Sequence, residues 1–191
     1  MSNRDSVFIR NLREHIELMQ NIGGLSDVVE EASKRMANII QAGGRIFFCG
    51  NGGSAADAQH LAAELSGRYL KNRRPLDGTA LHCNTSAMTA IANDYSYDDV
   101  FSRQLAAHGR TGDALVAIST SGNSINVLKA AETAKVIGMT VIGMTGACGG
   151  QLKDLSDVII AVPSNCTPRV QEAHIFIGHV MCEMIEMACC R

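Results

Sequence analysis

The chain has 191 residues, a formal net charge of −2 at pH 7 and 46% hydrophobic residues. This length is most simply one domain with a substantial core. The small charge and the lack of a basic tract argue against binding to nucleic acid or to a membrane surface. The sequence shows no signal-peptide core, no apolar run of membrane-spanning length, and seven cysteines without C-x-x-C spacing. We therefore expect a cytoplasmic protein with reduced cysteines.

Two helices are predicted ahead of the first strand. An apolar stripe at helical spacing indicates a helix from about Asp5 to Gln20, and Ser26 can cap a second helix that ends at Ile40. Two such helices are more than one small sheet needs. We therefore expect residues 1–42 to pack against other subunits, with ordinary packing on their own domain as the alternative. The stripe consists of Phe8, Leu12, His15, Ile16 and Met19.

A strand, a glycine-rich turn and a helix follow one another in RIFFCGNGGSAADAQHLAAELSGRY, residues 45–69. The apolar run 46–49 suits a buried strand, and the next residues, Asn51, Gly52 and Gly53, break regular structure. Ser54 can cap a helix over about 55–70. Backbone N–H groups and the positive end of a helix dipole meet after the strand, which predicts an anion-binding site.

His60 and Glu64 lie four residues apart on this helix and therefore share a face. An imidazole and a carboxylate beside an anion site could share a metal ion or divide acid–base work between them. The alternative is a solvated ion pair on the helix surface. The neighbouring glycine-rich turn favours the functional interpretation.

The remaining chain alternates apolar strands with helices, which predicts a parallel sheet covered on both faces. With the first strand, these make five strands in a doubly wound α/β fold, with two N-terminal helices and a long C-terminal helix. Ligands in such sheets bind beyond the carboxyl ends of the strands. The further predicted strands are Thr79–Cys83, Ala114–Ile118, Thr140–Met144 and Val158–Val162. The further predicted helices are Asn84–Ala92, Tyr97–Ala107, Ile125–Ile137, a short one before the last strand, and Arg169 to about Cys189.

The loop STSGNS, residues 119–124, offers four hydroxyls and a glycine between a strand and a helix. It lacks the lysine of a P-loop, which argues against a nucleoside triphosphate. Hydroxyls at a helix N-terminus suit one phosphate monoester, such as a sugar phosphate. A polar loop with a serine cap is the alternative.

The C-terminal helix carries Gln171, His174, Gly178 and His179 off its broad apolar side. A helical histidine is often structural rather than catalytic. About 12 Å of helix rise separates Gln171 from His179. This spacing permits the two to share an ion but does not predict it.

Four segments carry a resemblance to a known family: CGNGGSAADAQHLAAELSGRY, TAIANDYSYDDVFSRQ, ISTSGNS and RVQEAHIFIGH. They resemble the bacterial phosphoheptose isomerases of the sugar isomerase (SIS) family, and the similarity covers essentially the whole chain, residues 1–191, as one SIS domain. The resemblance implies a five-stranded parallel sheet and a homotetramer with active sites at subunit boundaries. It also implies conversion of D-sedoheptulose 7-phosphate to D-glycero-D-manno-heptose 7-phosphate, the first committed step toward ADP-heptose for lipopolysaccharide or capsule.

The same resemblance assigns roles to individual residues, all of which are present in this sequence. It implies one zinc ion per subunit and an acid–base pair formed by Glu64 and His179. The implied zinc ligands are His60, Glu64, Gln171 and His179. The implied substrate contacts are Asn51, Gly52, Gly53, Ser54, Glu64, Asn93, Asp94, Ser119, Thr120, Ser121, Ser124 and Gln171.

An aldose–ketose isomerisation needs a base near carbon and an acid near oxygen. We expect Glu64 to move the proton between C1 and C2 and His179 to serve the oxygens. A tightly zinc-bound Glu64 would be a weaker base, so either that bond is loose or the metal is partly structural. Two other functions stay open: a non-catalytic sugar-phosphate sensor, and a partner of the replication initiator. The related branch with the latter role lacks counterparts of Glu64 and His179, which favours the enzyme.

Overall fold

The computed structural model describes residues 6–190, so the predicted start of the first helix at Asp5 lies outside the described residues. Five strands form one parallel sheet in the order β2-β1-β3-β4-β5. This confirms the predicted five-stranded parallel sheet and places β1 and β3 side by side. The strands are β1 Ile46–Gly50, β2 Gly78–Ala80, β3 Ala114–Ile118, β4 Thr140–Thr145 and β5 Val158–Ala161.

Helices cover both faces of the sheet, because successive strand residues point to opposite sides. Phe48, Val116 and Ile142 belong to one core with α1, α2, α3 and α8, whereas Phe47 and Leu115 belong to a second core with α5 and α6. The helices are α1 Val7–Asn21, α2 Ser26–Gln41, α3 Gly53–Ser66, α4 Thr85–Asp94, α5 Ser102–His108, α6 Ile125–Ile137, α7 Leu152–Leu155 and α8 Thr167–Cys189, with 3-10 turns at Ile22–Leu25 and Tyr97–Asp99.

Both predicted serine caps are wrong. Gly52 precedes α3 with a φ of 56°, a conformation open to glycine, so the helix begins at Gly53 and takes in Ser54 as a buried second residue. Leu25 precedes α2 in a helical conformation, and Ser26 instead donates to Glu30. In both cases the backbone has already turned helical before the serine, which removes the extended residue that a cap requires.

Two further predictions are corrected, one on the end of β2 and one on the covered sides of α8. β2 ends at Ala80 rather than Cys83, because the chain turns there and the Cys83 N–H bonds back to the Ala80 carbonyl oxygen. The sequence predicts His174 and Gly178 away from the apolar side of α8, but both are buried. The reason is that α8 packs on α2 and α3 at once, so more than one of its faces is covered.

Within residues 6–190, no helix has both the length and the apolar composition that a membrane crossing requires.

Candidate active site

Two loops meet at the carboxyl ends of β1 and β3, where the strand order reverses direction and such sheets form their binding crevice. The loop after β1 contains Asn51, and the helix after the β3 loop contains Asn126. Their side-chain amides exchange two hydrogen bonds of 2.9 Å each. Tyr97 donates from its hydroxyl to the Asn51 Oδ1 at 3.1 Å. These contacts join the two predicted anion-binding loops into one site.

The serine loop presents its hydroxyls at the start of α6. Ser119 Oγ lies 2.9 Å from Ser124 Oγ and 3.5 Å from Ser121 Oγ. Ser124 precedes α6, but its side chain makes no cap hydrogen bond to that helix. The Val127 N–H bonds to the Ser124 carbonyl oxygen, so the N–H groups of the first two residues of α6 are the ones open to an anion. A phosphate group uses this arrangement.

Gly122 holds this loop against the loop that follows β4. Its φ is 67°, and a Cβ at this position would lie 2.0 Å from the Gly149 carbonyl oxygen. The Leu152 N–H also bonds to the Gly122 carbonyl oxygen at 3.0 Å. The loop conformation thus depends on the absence of a side chain at residue 122.

We expect Gly122→Ala to lower the free energy of unfolding by about 2–4 kcal/mol, from left-handed strain plus the clash with Gly149. Gly112→Ala is the matched control, because Gly112 also has a positive φ, 90°, but open space around it. The control should lose only about 1 kcal/mol. Thermal unfolding of both variants tests this, and equal losses would contradict the role of the Gly149 contact.

Three predicted site residues come together between α3 and α8 within a single chain. His60 Nε2 lies 2.9 Å from His179 Nε2 and 3.3 Å from Glu64 Oε1. One ligand atom of each of His60, Glu64 and His179 lies within 4.8 Å of the others. Two ligands of a tetrahedral zinc ion lie roughly 3.3 Å apart, so this donor set fits a metal ion. The side chain of Glu64 is 22% exposed and that of His60 48% exposed, which leaves the group open to a small molecule.

The close packing of α3 on α8 brings His179 to this position. A Cβ on Gly178 would lie 2.6 Å from the terminal methyl carbons of Leu61, so any larger residue would require Leu61 to shift. The His179 ring then lies against two others: its centroid is 5.1 Å from that of His60 and 5.7 Å from that of Tyr69, which stacks on it at 27°. His179 is therefore oriented by packing as well as by polar contacts.

Gln171 and the pair Asn93–Asp94 make contacts other than with the three-residue group. The Gln171 amide packs on Gly53, where an added Cβ would lie 2.7 Å from its Oε1 and Nε2. It therefore lies at the glycine-rich turn. Gln171 is eight residues before His179, which is about 12 Å along the helix axis. Asn93 donates to Asp94 at 2.8 Å, and both are exposed at the end of α4. Zinc ligation by Gln171 and substrate contact by Asn93 and Asp94 remain predictions.

Three polar residues of the site are not predicted from the sequence: Asn126, Tyr97 and Asp57. Asn126 is buried in an otherwise apolar helix turn, a pattern that could have drawn attention to it. Asp57 lies one turn before His60, and its Oδ2 is buried without a hydrogen-bond partner. Burial raises the pKa of Asp57 to about 6, although the nearby His60 acts in the opposite direction. Asp57 thus adds a second carboxylate near His60.

His174 anchors α8 to β4 beneath the site. It is fully buried, and its Nε2 lies 3.1 Å from the Thr145 carbonyl oxygen. Burial lowers the pKa of His174 to about 4, although the contact with Thr145 opposes this shift. The neutral imidazole is therefore the form that the folded protein accommodates.

We expect the stability of the fold to decrease as the pH falls from about 6.5 to about 4, because the unfolded chain takes up a proton at His174 before the folded chain does. The loss from this residue is roughly 3 kcal/mol at the acid end. Tm measured at about pH 7 and about pH 5 should fall less in His174→Gln than in the wild type. An identical pH dependence in both proteins would contradict this expectation.

The fold and the site together define a class of protein. The family model described as "SIS domain" matches residues 8–146, and the chain therefore belongs to the SIS domain family. Within that family its relatives include phosphoheptose isomerases. The phosphoheptose isomerase of Rhodospirillum rubrum is 56% identical over 169 residues, which cover 88% of this chain and 90% of that protein.

Two solved structures agree with this relationship. The phosphoheptose isomerase GmhA of Neisseria gonorrhoeae superposes with a TM-score of 0.90 at 43% identity, covering 94% of this chain and 97% of that one. The phosphoheptose isomerase of Francisella tularensis superposes with a TM-score of 0.91 at 33% identity, covering 94% and 96%. The predicted fold class and family are confirmed.

Proposed function

We propose that this protein is an aldose–ketose isomerase that converts D-sedoheptulose 7-phosphate to D-glycero-D-manno-heptose 7-phosphate, the first step toward ADP-heptose. Its membership among phosphoheptose isomerases supports the activity. The observation that carries the proposal is the meeting of Glu64, on the helix that begins at the glycine-rich turn, with His179 from a distant segment. The heptose product would be used in the synthesis of lipopolysaccharide or capsule.

The phosphate anchors the substrate in this proposal. Ser119, Thr120, Ser121 and Ser124 surround the start of α6, where hydroxyls and N–H groups can bind a dianion. Asn51 to Ser54 and Gln171 line the neighbouring turn and would contact the sugar hydroxyls. Anchoring one end of a seven-carbon sugar holds C1 and C2 in a defined place, which converts proton transfer into a step between fixed partners.

The carboxylate of Glu64 removes a proton from C1 of the ketose, while the imidazole of His179 delivers one to O2 to give an enediol. Glu64 then returns its proton to C2, and His179 takes the proton from O1, so that protons balance over the cycle. The same imidazole is suited to assist ring opening, because a histidine side chain can donate a proton to an oxygen and accept one from it.

A zinc ion is the metal that we propose for the group of His60, Glu64 and His179, with Gln171 as a fourth ligand and one ion per subunit. Two imidazoles and a carboxylate are ligands that zinc accepts in proteins. A bound zinc ion would supply Lewis-acid polarisation of the substrate carbonyl. His60 would then serve to bind the ion rather than to exchange protons.

Assembly into a homotetramer is also proposed, with residues 1–42 at the contacts of a single SIS domain that spans 1–191. Support comes from α1, whose Phe8 is 72% exposed, and from a groove of about 340 Å³ beside it where Phe176 is 45% exposed. Exposed apolar patches of this kind mark interfaces. Light scattering on the wild type and on Phe8→Ser tests this, and a monomeric wild type would contradict it.

We place the enzyme in the cytoplasm and propose no nucleic-acid or membrane partner. The seven cysteines are all free thiols, which suits a reducing compartment. Burial also raises the pKa of the Cys49 and Cys182 thiols to about 12, so these two remain neutral and unreactive.

The decisive experiment is to incubate the purified protein with sedoheptulose 7-phosphate and detect the aldose product. A parallel sample is treated with a chelator and then supplied again with zinc. We expect turnover that the chelator reduces and zinc restores. Binding of the ketose without turnover would instead favour a sugar-phosphate sensor.

A further inference from the structure

The loop that joins α3 to β2 contains a buried ion pair with a residue of α8. Arg73 Nε lies 2.9 Å from Glu186 Oε1, and the two side chains are only 3% and 2% exposed. The sequence of this loop, KNRRPLDG at 71–78, otherwise has the composition of a solvated surface loop. A buried pair of charges is costly unless nearly all its hydrogen bonds are made.

Apart from their bond to each other, Glu186 and Arg73 make their hydrogen bonds to backbone groups. Glu186 accepts from the N–H groups of Tyr69, Leu70 and Lys71 at 3.2, 2.9 and 2.7 Å. Burial opposes ionisation of Glu186, but these bonds and Arg73 outweigh it and hold the pKa of this carboxyl below its usual range. Glu186 is thus a charged acceptor around which the backbone of residues 69–71 is wrapped.

Arg73 donates hydrogen bonds to backbone carbonyl groups at the end of α3. Its guanidinium donates to the carbonyl oxygens of Glu64 at 2.7 Å and Leu65 at 2.8 Å. These belong to the last turn of the helix, whose carbonyl groups have no partner within the helix itself. The same arginine therefore caps the turn that carries Glu64 and joins it, through Glu186, to α8.

The pair also acts on His179. Glu186 lies seven residues beyond His179 on α8, about two helical turns. It holds the backbone of Tyr69, and the Tyr69 ring stacks on the His179 imidazole. One buried pair thus contacts the backbone of Glu64 on one side and the residue that packs on His179 on the other.

We propose that Arg73 and Glu186 are positioning residues for the isomerase reaction, because they set the position of Glu64 relative to His179. This inference rests on the roles of Glu64 and His179 in the proposed function. Neither Arg73 nor Glu186 touches substrate; both act through the end of α3 and through Tyr69. Misplacement of reacting groups by about 1 Å costs up to about 100-fold in rate.

The test compares Glu186→Gln with Asp157→Asn. Asp157 also combines an ion pair, with Lys135, and a backbone hydrogen bond, from the Val141 N–H, but it lies at the amino ends of β4 and β5, opposite the site. Both variants should have a lower Tm. At a temperature well below either Tm, we expect Glu186→Gln to lose about 10-fold to 100-fold in kcat with KM little changed, and Asp157→Asn to keep its kcat.

Two Tyr69 variants test whether the contact of its ring with His179 matters for kcat. Tyr69→Phe keeps the ring against His179 and should keep kcat, whereas Tyr69→Leu removes it and should reduce kcat. A crystal structure of Glu186→Gln should show residues 69–71 displaced and the Tyr69 ring moved from His179. A folded Glu186→Gln variant with wild-type kcat, or one whose Tyr69 has not moved, would overturn the proposal.

The outcome can be separated from that of the proposed function. If the wild type does not isomerise sedoheptulose 7-phosphate, the proposed function fails. The position of Tyr69 and of the Glu64 turn in the Glu186→Gln crystal structure still decides whether the pair holds the two segments together.

Discussion

Glu64→Gln is expected to lower kcat for sedoheptulose 7-phosphate isomerisation by about 1,000-fold or more, because an amide cannot take the proton from C1. Glutamine matches glutamate in size, so the half-buried side chain can keep its place beside His60. KM should change little, since we assign the phosphate contacts to the serine loop. Steady-state kinetics at neutral pH provide the measurement.

The matched control is Glu132→Gln, which changes an exposed glutamate on α6. Its kcat and Tm should equal those of the wild type. Near-normal turnover by Glu64→Gln would remove Glu64 from the role of base. Zinc affinity distinguishes the two open roles of this carboxylate: a large loss of zinc binding by Glu64→Gln indicates a ligand, whereas intact binding with lost turnover indicates a base.

His179→Asn should lower kcat by about 100-fold or more and weaken zinc binding as well. The atom that faces His60 is Nε2, and asparagine reaches only as far as the Nδ1 position of a histidine ring. Both the proton transfer at oxygen and one metal ligand are therefore lost in one change. Kinetics and zinc titration by competition with a chelator measure the two effects separately.

His108→Asn serves as the control, since His108 is exposed at the end of α5 and belongs to neither core. It should match the wild type in both measurements. If His179→Asn bound zinc normally and kept its kcat, the meeting of His179 with Glu64 would have no functional meaning.

The fold and the loops at the strand ends follow from local patterns. β3 and α6 begin and end where the sequence predicts, at Ala114–Ile118 and Ile125–Ile137. Apolar runs in strands and a glycine after a helix act over a few residues, so they are visible without the rest of the molecule. The same is true of the two predicted anion-binding loops, whose residue types and positions after strands are local properties.

Contacts between segments that are far apart in the chain do not follow from local sequence patterns. The Asn51–Asn126 bonds, the Tyr97 contact and the Arg73–Glu186 pair each join residues that are far apart in the chain. A polar residue in a loop or on a helix is compatible with exposure until packing buries it. Nothing in the local sequence distinguished Arg73 from the neighbouring arginine at 74.

By itself the sequence determined the strands, the helices and the residue types of the site, because hydrophobic periodicity and glycine placement specify elements from within. Only the tertiary structure decided which residues meet. His179 reaches His60 and Glu64 because Gly178 lets α8 approach Leu61, and His174 is buried because α8 is covered on more than one side. Such contacts depend on how close two helices come, which is a property of their packing and not of either sequence segment alone.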